Sequence, residues 1–355
     1  MTRMGSTGFT WATIFSAVMA MMPLNLCAQA TDAGVQSNSS VVDADGTAHI
    51  TRVVPVPTTL SPEAQATLRN NYPDKKQTLE VRRSATDSWQ NGAGEKSKVV
   101  YPVNVKETTI AGVPVRNITP IANERKGWVL INLHGGGFNS DSGSLTESIP
   151  IANLTRARVV AVLYRLAPEH PYPAGLDDAV AVYKMLLKSY KPSHIAIYGT
   201  SAGAILTAEM SVKLKQLGLP EPAALGVFSG LGDFSQRTDT DAIYTLRGLI
   251  GDLAMPDGKP MSTDYLGTLD RKDPVISPVY ADLKGMPPTL FISSTRDMLL
   301  SGTTILHRAY LRAGVDARLV VFEGLPHAFW NDVKLPESRE MYADVSNFFV
   351  QQLSK

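Results

Sequence analysis

From Val99 onward the chain alternates short apolar runs with longer stretches of helical period. Runs at Val99–Val105, Val113–Ile118, Trp128–Leu133, Val159–Tyr164, His194–Tyr198, Leu225–Ser229, Thr289–Ser293 and Arg318–Phe322 predict strands. The last six are nearly unbroken apolar runs, as expected of strands covered on both faces. Helical patterns lie at about Leu145–Arg156, Gly175–Tyr190, Ala202–Leu217, Thr303–Ala313 and Ser338–Leu353. Eight strands with interleaved helices predict a mostly parallel, doubly wound α/β sheet. Residues 233–277 break the alternation, with Asp, Pro, Gly and one short helix predicted near Asp241–Ile250. An insertion there, over the carboxyl ends of the strands, is placed to shape a substrate pocket.

Upstream the pattern differs. Ser61-Pro62-Glu63 opens a helix that runs to about Asn70, with Ser at the N-cap, Pro at the first position and an acid in the first turn; Tyr72-Pro73 stops it. Residues 31 to about 58 are polar and read as a flexible arm. Residues 74–97 are polar too, with Trp89 and an Asn91-Gly92-Ala93-Gly94 turn, and read as a small lid or linker. The first thirty residues hold one charge, Arg3, then an apolar segment from Phe9 to Leu26, then Ala28-Gln29-Ala30. That is the pattern of a secretory signal peptide cleaved after Ala30, and it predicts an exported protein, periplasmic or secreted, with no membrane anchor after cleavage. Cys27 raises lipidation as an alternative, against which stands Leu26 where a small residue is wanted.

Composition adds exclusions. The 355 residues are 44% hydrophobic and 19% charged with a formal charge of +1, which gives no footprint for nucleic acid. Removing the leader takes one basic residue and no acid, leaving 33 of each sign. It also takes the single cysteine, so the mature chain has no disulfide, thiol nucleophile or cysteine metal site.

The candidate chemistry sits just past the predicted strands. Gly199-Thr200-Ser201-Ala202-Gly203 follows the fifth run and precedes a helix, a G-x-S-x-G turn that lifts a hydroxyl beside a helix N-terminus. A serine hydroxyl needs a base, an acid behind the base and an oxyanion site. His134-Gly135-Gly136-Gly137-Phe138 follows the third run, and its consecutive glycines bring backbone N–H groups near a ligand without side-chain interference. A phosphate loop would want G-x-x-x-x-G-K-[ST], which is absent there. His134 reads as a hydrogen-bonding residue at the loop base. His327 lies in a Gly/Pro loop after the last run, and Asp297 follows the seventh. Glu323 is an alternative acid but shares a strand end with His327. Asp177 and Asp178 open a helix and read as dipole partners.

HGGGF, GTSAG, the string Tyr164-Arg165-Leu166-Ala167-Pro168-Glu169-His170-Pro171-Tyr172-Pro173-Ala174 and the D-x-L-L…H-A-F ending resemble the bacterial hormone-sensitive-lipase-like esterases of the α/β-hydrolase superfamily, over about Val99 to Leu353. The resemblance implies an α/β-hydrolase fold with an eight-stranded sheet, helices on both faces and a helical cap, an N-terminal cap that suits residues 59–97. It implies Ser201 as nucleophile, His327 as base, Asp297 as orienting acid, and Gly136, Gly137 and Ala202 N–H as oxyanion donors, with His134 and Gly135 supporting the loop. Thr200 stands where many relatives have Asp, which looks like the GTSAG branch. The implied activity is hydrolysis of short-to-medium acyl esters through an acyl-enzyme, with no metal or organic cofactor and a dimer through the sheet edge. A lactone hydrolase shares this chemistry. A non-catalytic small-molecule binder on the same scaffold is the alternative from another class.

Overall fold

The computed structural model describes residues 38–70, 77–251 and 264–355. The predicted leader with Cys27 and Ala28-Gln29-Ala30, the stop at Tyr72-Pro73, and 252–263 of the predicted insertion lie outside the described residues. The chain divides into two units, one ending at Pro55 and one spanning Val56–Lys355.

In the first unit the stretch read as a flexible arm carries a hairpin. Strands β1 (Ser39–Val42) and β2 (Ala48–Thr51) pair antiparallel, with Val41 opposite His49. Gly46 takes a positive φ of 90° in the turn, and Asp45 accepts from the Thr47 N–H at 2.9 Å. Asp45-Gly46 between short strand-forming segments is the turn signal that the polar composition obscured.

The second unit opens with α1 (Pro62–Leu68), capped as expected by the Ser61 hydroxyl, which accepts from Ala64 N–H at 3.1 Å. The supposed lid or linker is a 22-residue helix, α2 (Leu79–Val100), which runs straight through Asn91–Gly94 and absorbs the start of the first predicted strand. Its buried positions are Gln90, Gly94 and Ser97, so it packs through small and polar groups, and a search for an apolar stripe does not find it.

The remaining elements follow the predicted alternation: β3 (Val103–Ile110), β4 (Val113–Pro120), β5 (Val129–Leu133), α3 (Ser148–Thr155), β6 (Arg158–Val162), α4 (Ala174–Leu186), β7 (Ile195–Thr200), α5 (Ala202–Gln216), β8 (Ala224–Phe228), α6 (Asp239–Ile243), β9 (Thr289–Ser294), α7 (Leu300–Arg312), β10 (Ala317–Phe322) and α8 (Pro336–Leu353). The insertion helix is shorter than the predicted Asp241–Ile250, stopping at Ile243. The eight strands from β3 to β10 form one sheet in the order β10-β9-β8-β7-β5-β6-β4-β3, antiparallel at β3/β4 and β4/β6 and parallel elsewhere.

Alternate residues of the buried strands feed two cores. Val129, Ile131 and Leu133 pack with α4, α5 and α7, whereas Leu130, Ala196 and Tyr198 pack with α3 and α8. The chain passes from β5 to β6 on one side, then crosses to β7 on the other. That reversal is a topological switch point, and the crevice at the carboxyl ends there is where such sheets bind ligands.

Candidate active site

Strand pairing brings the separated motifs together. Leu133 at the end of β5 lies opposite Gly199 near the end of β7, so the glycine-rich loop and Ser201 leave the sheet side by side. Strand β8 is next, then β9 carrying Asp297, then β10 carrying the His327 loop.

Ser201 stands between β7 and α5 at φ 57°, ψ −121°, a strained turn for a residue with a side chain. Its N–H donates to Phe228 O at 2.9 Å, which ties the turn to β8. The turn closes tightly against β5. A Cβ added to Gly203 would lie 1.8 Å from Leu133 O, backbone that has no room to yield. We expect Gly203→Ala to lose about 3 kcal/mol or more, read from urea midpoints. A midpoint matching the parent would show that the turn has slack.

Asp297 is fully buried and saturated with donors. Its Oδ1 accepts from His327 Nδ1–H at 2.8 Å and Leu299 N–H at 2.9 Å, and its Oδ2 from Ser293 Oγ–H at 2.8 Å and from Ser229 Oγ–H. Burial works to raise the Asp297 pKa, but the His327 imidazole and the hydrogen bonds outweigh it and hold the carboxyl below its ordinary value. The His327 loop is fastened to β9 by the Ser294 hydroxyl donating to Leu325 O, and by Gly324 N–H donating to Thr295 Oγ1 at 2.7 Å. With Nδ1 engaged, Nε2 is the free nitrogen. It is buried and has no hydrogen-bond partner among the described residues. Glu323, the alternative acid, is exposed and accepts from Thr295 Oγ1 instead.

Ser201, His327, Gly136, Gly137 and Ala202 line one cavity of about 360 Å³. Gly136 holds φ 110° and folds back so closely that an added Cβ would meet Ser140 O at 2.1 Å. The N–H groups of Gly136 and Gly137 have no acceptor among the described residues. Ala202 opens α5, where the geometry of a helix leaves its N–H without an internal partner. His134 is 1% exposed and does not line the cavity. It donates from Nδ1 to Gly135 O at 2.8 Å and stacks on Tyr164 at 4.2 Å, while Tyr164 O–H donates to His134 O at 2.7 Å. The Tyr164–Ala174 string thus props the loop. Asp178, in α4, holds that string in place, accepting from Arg165 N–H at 2.9 Å and pairing with its guanidinium, a role beyond a helix-dipole partner.

Sequence reasoning missed Ser229, Ser293, Trp330 and Glu147. Trp330 Nε1–H donates to Thr200 Oγ1 at 3.2 Å, linking the histidine loop to the serine turn. Glu147 is buried nearby, accepting from Asn132 Nδ2–H at 3.1 Å. Burial pushes its carboxyl up to about 8, against the pull of the Thr200 and Asn132 hydrogen bonds.

An unfolded Glu ionises near ~4.3, so folding takes up a proton between that pH and about 8. The contribution of neutral Glu147 is complete below the unfolded value and is lost as pH rises through the folded one. We expect Glu147→Gln to gain on the parent as pH rises across that window, by a few kcal/mol at most. Parallel stability–pH curves for the two proteins would rule this out. Among the described residues no group of three or more His, Cys, Asp or Glu could hold a metal ion, and no helix is long and apolar enough to cross a membrane.

Comparison with known proteins agrees with the fold. Residues 130–331 match the family model described as alpha/beta hydrolase fold. An acetyl-hydrolase of Streptomyces hygroscopicus is 31% identical over 277 residues, covering 73% of this chain and 91% of the relative. An esterase of Acinetobacter venetianus is 29% identical, covering 69% and 82%. Among solved structures, the esterase E25 superposes with a TM-score of 0.73 at 30% identity, covering 85% of this chain and 97% of the other. An esterase from the bacterial hormone-sensitive lipase family gives a TM-score of 0.71 at 29% identity, covering 82% and 99%. With the sheet order and the crevice already described, these likenesses mean that the chain belongs to the α/β-hydrolase fold family, among the bacterial hormone-sensitive-lipase-like esterases.

Proposed function

We propose that the protein is a serine carboxylic-ester hydrolase acting on short-to-medium acyl esters through an acyl-enzyme. The observation that carries this reading is the His327 imidazole, held at Nδ1 by Asp297 with its Nε2 unpartnered among the described residues, in a residue that lines the same cavity as Ser201. Nε2 takes the Ser201 proton as Oγ attacks the ester carbonyl. The charge on the carbonyl oxygen is received by the N–H groups of Gly136, Gly137 and Ala202. The alcohol leaves with the proton from His327, and a water activated by the same nitrogen releases the acid.

The cavity supports the acyl preference. Ile205, Leu231, Phe234, Met298 and Leu299 give it an apolar wall, and its volume is at the small end for ligand sites. A panel of p-nitrophenyl esters of graded chain length, with several lactones added, tests this. Catalytic efficiency highest for acetate to hexanoate, and at least about tenfold lower for laurate, agrees with the cavity. Lactones turned over faster than every linear ester would move the assignment to a lactone hydrolase, and no turnover of either class would make the chain a binder.

The reading includes export after cleavage following Ala30, supported by the pattern of residues 1–30 and checked by N-terminal sequencing of protein from the periplasm or medium. It includes a homodimer through the edge strand β10, where Val321 is exposed, checked by light scattering.

A further inference from the structure

Helix α2 holds a cation over the cavity. Its position is set by neighbouring residues. Arg83 donates from Nε to Asn139 O at 2.6 Å, from Nη2 to Ala167 O at 2.9 Å, and to the Glu169 carboxylate at 2.7 and 2.8 Å. Two turns on, Gln90 Oε1 accepts from Gly143 N–H at 3.0 Å and Ser144 Oγ–H at 3.1 Å. Gly94 then packs against Leu145. These contacts clamp α2 to the loop that follows His134, and they leave Arg82 and Thr86, one turn apart on the same face, lining the cavity.

Arg82 differs from its neighbour. Its backbone is used, with N–H donating to Thr78 O and the carbonyl accepting from Thr86 Oγ1–H, but its guanidinium has no hydrogen bond or ion pair among the described residues. No Asp, Glu or Lys among the described residues lines the cavity with it. The Asp297 carboxylate is enclosed behind His327 and its other donors. The remaining lining comes from different parts of the chain: Ile205, Leu231, Phe234, Met298 and Leu299, past β7, β8 and β9, are apolar, while Thr86 lies on α2 with Arg82, and Asn139, Ser140 and Ser142 lie on the loop to which Arg83 and Gln90 fasten that helix. The described part of the cavity therefore has one polar, cationic side and one apolar side. A planar guanidinium fork without a partner matches a carboxylate with two parallel hydrogen bonds.

We propose that Arg82 is a specificity-determining residue that selects esters carrying a carboxylate, such as half-esters of dicarboxylic acids, on the side of the ester bond opposite the apolar wall. The inference rests on the ester-hydrolase reading and narrows its substrate class. The carboxylate lies on Arg82 and the polar side, and the uncharged part of the substrate lies along Leu231, Phe234 and Leu299. Arg82 is exposed, so the preference is modest and salt-sensitive.

The test compares monomethyl succinate, glutarate and adipate with the neutral methyl esters of matching length, following acid release by titration. The readout is the ratio of kcat/KM for each half-ester to that of its neutral partner. The parent is expected to favour at least one half-ester by about fivefold, with the difference in KM. That ratio falls toward one in Arg82→Gln and in high salt, and Arg82→Lys restores part of it. A purely structural arginine would lower both members of a pair alike and leave the ratio unmoved. Parent ratios at or below one for all three lengths, or a ratio unchanged by Arg82→Gln, overturn the inference while leaving the hydrolase reading intact. Hydrolysis of neither class overturns both.

Discussion

Ser201→Ala is expected to lower ester turnover by about 10⁶-fold while the protein unfolds at the same temperature as its parent. The backbone at Ser201 is held by contacts that the hydroxyl does not make: the N–H bond to Phe228 O and the close approach of Gly203 to Leu133. Alanine can occupy the same turn, so the loss falls on chemistry alone. What stays is binding in the cavity and the N–H groups of Gly136, Gly137 and Ala202, which in such sites keep roughly 10³-fold over water. Initial rates on p-nitrophenyl butyrate, read beside a circular-dichroism melt, check both halves. Turnover within tenfold of the parent would remove Ser201 from the mechanism. A lowered melting temperature would show that the hydroxyl also supports the turn.

Asp297→Asn is the second large effect, a loss of about 10⁴-fold in kcat. In the parent, Oδ1 accepts the Nδ1–H of His327, which leaves Nε2 unprotonated and able to take the serine proton. An asparagine amide that turns its N–H₂ toward Nδ1 makes Nδ1 an acceptor and moves the imidazole proton to Nε2, where it blocks the base. The opposite orientation aims the N–H₂ at the Ser229 and Ser293 hydroxyls, which donate to Oδ2 in the parent. Either orientation also removes the negative charge that offsets the imidazolium. Because Asp297 does not line the cavity, KM should change little. A drop of less than tenfold in kcat would mean that another group orients His327. Glu323 is ill placed for that, exposed and engaged by Thr295.

The sheet was legible because its central strands are covered on both faces. Runs such as Val129–Leu133 and Ile195–Thr200 are continuously buried, so each reads as a nearly unbroken apolar run. Ser201, Asp297 and His327 were legible for a related reason. Each follows a strand end, and along the chain they run Ser, Asp, His, the order in which this fold carries such residues. What escaped the sequence depends on neighbours across the fold. Ser229 and Ser293 matter only because β8 and β9 are adjacent, which places both hydroxyls on one carboxylate. Glu147 gives no periodic signal, since its meaning comes from burial beside Thr200 and Asn132. Helix α2 hid for the opposite reason to the strands. Val81, Trp89, Val99 and Val100 are exposed, while Gln90, Gly94 and Ser97 face inward, so hydrophobic periodicity points away from the buried face. Its Asn91–Gly94 stretch has turn composition yet stays helical, because Gly94 gives the close approach to Leu145. That helix supplies Arg82 and Thr86 to the cavity, so part of the lining comes from the element hardest to read.

The central claim is that Ser201 is a nucleophile activated by His327, and covalent trapping tests it most directly. The protein is treated with an organophosphonate ester, digested, and mapped by mass spectrometry. The account predicts one adduct per chain, on the peptide containing Ser201, formed far more slowly in His327→Ala. No adduct, or an adduct on another residue at the same rate with and without His327, would contradict it.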